Sequence, residues 1–137
     1  MHPDLQAILP WCDLPYAEQL EKKRRYVANA LANRGLEARV EEVVPSPRVF
    51  GARARVKLRS GPGQRLGFHR PGSHDFLEVP LEDVAINPVV DLASAVSERG
   101  FLKEEAEFRS DGQRTVLVLP HPVPRAFRDL PAVAWDN

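Results

Sequence analysis

The stretch Ala52-Arg53-Ala54-Arg55-Val56-Lys57-Leu58-Arg59, followed by Gly61-Pro62-Gly63 and then Leu66-Gly67-Phe68-His69, decides how this chain is read. Apolar Ala52, Ala54, Val56 and Leu58 alternate with Arg53, Arg55, Lys57 and Arg59, which is the period of a strand with one face in a core and one in water. The period of two sets in near Val40 and Val43, and along the strand the outward face is entirely cationic. Gly61-Pro62-Gly63 is a turn and Leu66 to His69 a returning strand, so the two runs predict a hairpin. No Lys and no helix start follow those glycines, so they are turn residues and not a phosphate loop.

Downstream, Pro71-Gly72-Ser73 marks a second turn and Phe76 to Val79 a third strand. Asn87 as N-cap and Pro88 as first helical residue predict a helix to about Arg99, closed by Gly100. Leu102 to Arg109 and Arg114 to Leu119 read as strands joined at the tight-turn dipeptide Asp111-Gly112. Upstream, Asp13 as cap and Pro15 in the first turn predict a long helix from Tyr16 to Arg34, ended by Gly35. Its apolar stripe is Tyr16, Leu20, Val27, Ala30 and Leu31, opposite a charged face of Glu21, Lys22, Lys23, Arg24 and Arg25. The expected architecture is one small α+β domain, a mostly antiparallel sheet with hairpins packed by two main helices. Residues 1–12 are a lead-in, 13–119 the domain and 120–137 a proline-rich tail with a short helical turn near Phe127 and an extended Val133 to Trp135.

The 137 residues allow one ordinary domain, and 43% apolar with 28% charged residues is a globular composition. A formal charge of 0 excludes a uniformly basic nucleic-acid binder, but the charge is not evenly spread. Between Ser46 and His74 stand seven basic residues and no acidic one, which leaves 12 basic against 19 acidic elsewhere, a net of −7. Such a cluster is what polyanion binding by counterion release requires, and single-stranded RNA recognition adds planar side chains on which bases rest. The contrary reading is a solvated strand face whose arginines pair with Glu104, Glu105 and Glu107 of a neighbouring strand.

With Cys12 the only cysteine, the chain forms no internal disulfide and supplies no multi-cysteine metal or iron–sulfur site, which suits a reducing, cytoplasmic setting. No apolar run nears the roughly 20 residues of a membrane span, and Met1-His2-Pro3-Asp4 does not open a signal peptide. His2, His69, His74 and His121 are dispersed, and His69 with His74 holds a metal only if a third ligand comes from elsewhere. Cys12 is expected as a buried thiol, and no nucleophile, base and oxyanion donor fall together. No catalytic and no metal residue is therefore assigned.

Tyr16-Ala17-Glu18-Gln19-Leu20-Glu21-Lys22-Lys23, Pro45-Ser46-Pro47, Phe50-Gly51-Ala52-Arg53-Ala54-Arg55 and Leu66-Gly67-Phe68-His69-Arg70-Pro71-Gly72-Ser73-His74-Asp75, in that order, resemble the non-catalytic half of the RNA uracil-5-methyltransferases. The resemblance runs from about Trp11 through the Val116 to Leu119 strand, and Ala132-Val133-Ala134-Trp135 resembles the family's lead-in to its catalytic domain. That family makes 5-methyluridine in ribosomal or transfer RNA from S-adenosylmethionine. The resemblance implies a substrate-binding domain that grips RNA, with Arg53, Arg55, Phe68, Arg70, Ser73 and His74 in contact; Lys57 joins them on charge. Arginines would hold phosphate, and Phe68 would stack on a base.

The departures matter as much. Many members hold an iron–sulfur cluster on three cysteines before the first helix and a fourth after the third strand. Here Cys12 stands alone in the first region and the second reads Leu81-Glu82-Asp83-Val84. The small β-barrel that often precedes this region has no counterpart, and the domain with the S-adenosylmethionine pocket and catalytic cysteine would follow Asn137. The expectation is thus an RNA-binding module without catalysis or cofactor of its own, truncated or split, whose partners are RNA and a separately encoded methyltransferase domain. The alternative is a protein-interaction domain docking through the long helix or through exposed Phe127, Leu130, Val133 and Trp135 of the tail.

Overall fold

The computed structural model describes residues 1–130 and the backbone of Val133–Trp135. The helices are α1 (Leu5–Ile8), α2 (Tyr16–Ala32) and α3 (Asn87–Arg99). The strands are β1 (Arg55–Ser60), β2 (Leu66–His69), β3 (Phe76–Leu77), β4 (Ala106–Ser110), β5 (Thr115–Leu119) and β6 (Val133–Trp135). They form one sheet in the order β3-β2-β1-β4-β5-β6, antiparallel throughout except that β6 pairs parallel with β5. The α+β class and the mostly antiparallel sheet are as the sequence predicts.

β1 sits inside the sheet with antiparallel partners on both sides, and its alternation is the expected one: Val56, Leu58 and Ser60 are buried. Ala106 and Phe108 of β4 and Leu117 and Leu119 of β5 continue that inner face, which α3 covers with Val89, Ala93 and Val96. Proline near the start and Gly100 at the end bound α3 as expected, but Ile86 is the cap residue and Asn87 is already helical, with no side-chain cap bond. The Asp111-Gly112 hairpin is present, closed because Asp111 Oδ1 accepts from the amides of Gln113 at 2.8 Å and Arg114 at 2.6 Å. Those bonds stabilise the ionised carboxylate and hold it below the ordinary aspartate value.

Several elements are shorter than the alternation suggests, because the backbone finds another partner or meets a proline turn. β1 begins at Arg55, since the Gly51 and Arg53 amides donate to the Asp83 and Val84 carbonyls at 2.8 and 3.0 Å, diverting residues 51–53 to a different segment. β3 stops at Leu77 ahead of Pro80 and the tight turn at Leu81–Asp83. β4 begins at Ala106 because Ser60 pairs with Leu102 instead of continuing the ladder. The Ser60 amide donates to the Leu102 carbonyl at 3.0 Å, and the Leu102 amide donates to Ser60 Oγ at 2.7 Å. Lys103 to Glu105 are thereby displaced from the ladder.

The ends of the chain depart furthest from expectation. The lead-in is structural: α1 buries Leu5 and Ile8 in the same core as Cys12. Pro15, not Asp13, precedes the first residue of α2, and Gln19 is its one buried side chain, the Nε2 donating to the Leu14 carbonyl at 2.9 Å. Tyr26 and Val27 are 70% and 46% exposed although Val27 belongs to the expected packing stripe, so α3, not α2, carries the sheet packing. The tail is not a loose docking arm either, because Phe127 and Leu130 are buried at 1% and 7% exposure. The Phe127 ring lies against Gly100, and Arg99 meets Asp129 at 2.7 Å. The Val133 and Trp135 side chains lie outside the described residues.

Phe127→Ala should cost about 3–5 kcal/mol of stability, the range for emptying a well-packed aromatic site. Urea denaturation of the full chain measures it, and a loss below about 1 kcal/mol would mean the tail is no part of the core.

Candidate nucleic-acid interface

Because β1 buries Val56, Leu58 and Ser60, parity turns Arg55, Lys57 and Arg59 to the opposite face of the sheet. The registers Arg55↔Arg109 and Lys57↔Glu107 place Arg109 and Glu107 on that face, and His69↔Phe76 with Arg59↔Gly67 extends it across β2 and β3. Gly67 has a steric role. A Cβ there would stand 2.6 Å from both the Phe76 ring and the Leu77 carbonyl, so only glycine lets the Phe76 ring lie across β2. The Arg59 guanidinium stacks over that ring at 5.4 Å and donates to the His74 carbonyl at 2.8 Å.

The acidic neighbours expected on the contrary reading are partly there. Glu107, 7% exposed, accepts from Arg55 at 2.7 Å and from Arg109. Glu105 stands 3.4 Å from His69 Nδ1. One carboxylate shared by two guanidiniums leaves the pair of arginines with a net positive charge, and among the described residues Lys57 has no ion-pair partner. Arg55 and Arg109 keep 65% and 50% of their side chains in solvent, so the carboxylate fixes their positions without covering them.

The seven residues that the sequence points to do not all arrive at this face. Arg55 and Lys57 do. Arg70, Ser73 and His74 belong to the turn beyond β2, closed by the Arg70 amide donating to the Asp75 carbonyl and the Asp75 amide donating to Ser73 Oγ, each at 2.8 Å. Arg70 is 3.7 Å from Asp4, and the His74 ring meets the His69 ring edge-on at 5.3 Å. Arg53 sits before the strand, and its guanidinium donates to the Ile8 carbonyl at 2.8 Å, tying the lead-in to the sheet. Partial burial there pulls the guanidinium below the usual arginine value. Phe68 departs from the expected place: in register with Leu77 it faces inward and is 8% exposed, so its ring is not presented on this face. Phe76 and Arg59 are not among the seven; a glycine inside the strand run Leu66 to His69 is the signal in the sequence for a close approach at that place.

The two segments compared with cluster loops do meet. Cys12 and Asp83 line one cleft, but a single thiol does not fit an iron–sulfur cluster, and among the described residues no group of three or more His, Cys, Asp or Glu is placed to hold a metal ion. Burial, chiefly, and then the charge of Asp13 push the Cys12 thiol up, which disfavours the thiolate. No helix among the described residues is long and apolar enough to cross a membrane.

Over 89 residues the chain is 33% identical to a protein of Gloeobacter violaceus named as an uncharacterized RNA methyltransferase, a match covering 58% of this chain and 19% of the relative. The chain thus matches about a fifth of that protein's length. No protein-family model matches it, and no solved structure does.

Glu107→Gln should strengthen retention on immobilised heparin, because two exposed guanidiniums lose the anion that offsets them. Elution at a lower salt concentration than the parent chain would contradict a polyanion-facing role for this surface.

Proposed function

We propose that this chain is an RNA-binding module akin to the substrate-recognition region of RNA uracil-5-methyltransferases, acting on ribosomal or transfer RNA. The observation that carries the reading is the face of Arg55, Lys57, Arg59 and Arg109, gathered by strand parity in a chain of zero net charge. Its charges track a phosphate backbone, and the Phe76 ring capped by Arg59 gives it a planar element at one edge. The similarity to a protein named as an RNA methyltransferase points the same way.

Within this proposal the chain grips RNA and does not itself transfer the methyl group. A nucleophile for pyrimidine chemistry needs an accessible thiolate, and Cys12 is buried with its thiol pushed up. Methyl transfer and the S-adenosylmethionine site are assigned to a methyltransferase domain to which this module presents RNA. No iron–sulfur cluster or other metal is proposed, one thiol being too few.

Salt-dependent titration with a single-stranded RNA tests the grip. Replacing Arg55 and Lys57 together with Ala should weaken binding and flatten the slope of log K against log salt by about 0.7 for each phosphate no longer neutralised. An unchanged slope would remove this face from the reading. Elemental analysis of the purified chain should find no stoichiometric iron or zinc, and one metal per chain would contradict the cofactor proposal.

A further inference from the structure

We propose that the cleft between α2 and residues 46–53 takes one unstacked nucleobase of the bound RNA, an inference that rests on the RNA-binding reading and gives it a second site. The cleft measures about 590 Å³, within the range of small-ligand sites. Four aromatic side chains from three parts of the chain line it: Trp11 before α2, Tyr16 and Tyr26 on α2, and Phe50 from the extended segment. Lys23 and Arg48 add positive charge at its wall against the single carboxylate of Asp83. Planar faces with surplus positive charge are the chemistry of a base and its phosphate, and among the described residues the sheet face lacks an aromatic this accessible, since Phe68 is buried and Arg59 caps Phe76.

The cleft is built rather than left over. The Tyr16 hydroxyl accepts from the Ser46 amide at 2.8 Å, joining the far wall to α2. Gly51, at φ +60, comes so close to the turn at Leu81–Asp83 that a Cβ would stand 2.7 Å from the Glu82 carbonyl, and this approach seats Phe50. Trp11 holds φ +66, a left-handed conformation costly for a bulky residue and sustained only where the surroundings dictate it. Arg53 lines the cleft and Arg55 opens the cationic strand two residues on, which sets the cleft next to the start of that strand along the chain.

The test uses the full chain carrying Trp135→Phe, so that Trp11 is the one fluorophore of its kind. Uridine 5′-monophosphate should quench Trp11, and the Tyr26→Ala, Phe50→Ala double variant should abolish the effect; both replaced side chains are solvent-exposed, which leaves the core intact. The same variant should bind an oligouridylate about tenfold or more weakly, with its salt slope unchanged and its affinity for inorganic polyphosphate unchanged. Equal losses for RNA and polyphosphate, or no loss for either, would overturn the inference. RNA binding with a normal salt slope but no response of Trp11 to the mononucleotide sinks the cleft and spares the RNA reading. Trp11 quenching without RNA binding overturns the RNA reading and, with it, the inference that rests on it.

Discussion

β1 runs through the interior of the sheet, and its parity is the constraint on which everything else depends. Val56, Leu58 and Ser60 must lie on the buried face that the inner residues of β4 and β5 continue beneath α3, so Arg55, Lys57 and Arg59 have one face left to them. A slip of one residue would bury three cations and expose the core, a cost far beyond the stability of a domain this size. The burial that organises the sheet therefore also collects the charge. Ser60 locks the register at the far end of the strand, where both its amide and its hydroxyl engage Leu102.

Around that strand the polar groups serve chiefly to position one another. Glu107 fixes two guanidiniums without hiding them, and Arg59 is aligned by the Phe76 ring and the His74 carbonyl. Arg53 is drawn the other way, into a structural bond with Ile8 that brings α1 and the Trp11 segment against the start of β1. The arginines of one alternating run thus divide between architecture and surface, a division set by where the ladder begins.

The parts legible in the sequence are those with a local cause. The alternation of β1, the Asp111-Gly112 hairpin and the proline-to-glycine span of α3 each follow from a few neighbouring residues, and each is present. What escapes a reading of the sequence depends on partners distant along the chain. α1 has four residues, too few to display a helical period, yet Leu5 and Ile8 belong to the core. Phe68 faces inward because of its pairing with Leu77, which the run Leu66 to His69 does not encode alone. Phe127 reads as a lone aromatic in a proline-rich tail until Gly100 is placed beneath it. The stripe of α2 is visible in sequence, but among the described residues no element of the sheet packs against most of it; Tyr16, Gln19, Lys23 and Tyr26 instead form a wall of the aromatic cleft.

The central claim is that RNA lies on the outward face of β1, and amide-resolved NMR titration with a short single-stranded RNA tests it most directly. The account predicts shifts concentrated at Arg55 to Arg59, His69 to Phe76 and Glu107 to Arg109, with Val89, Ala93 and Val96 of α3 unmoved. Shifts confined to α3 or to the turn at Asp111-Gly112, with β1 silent, would contradict it.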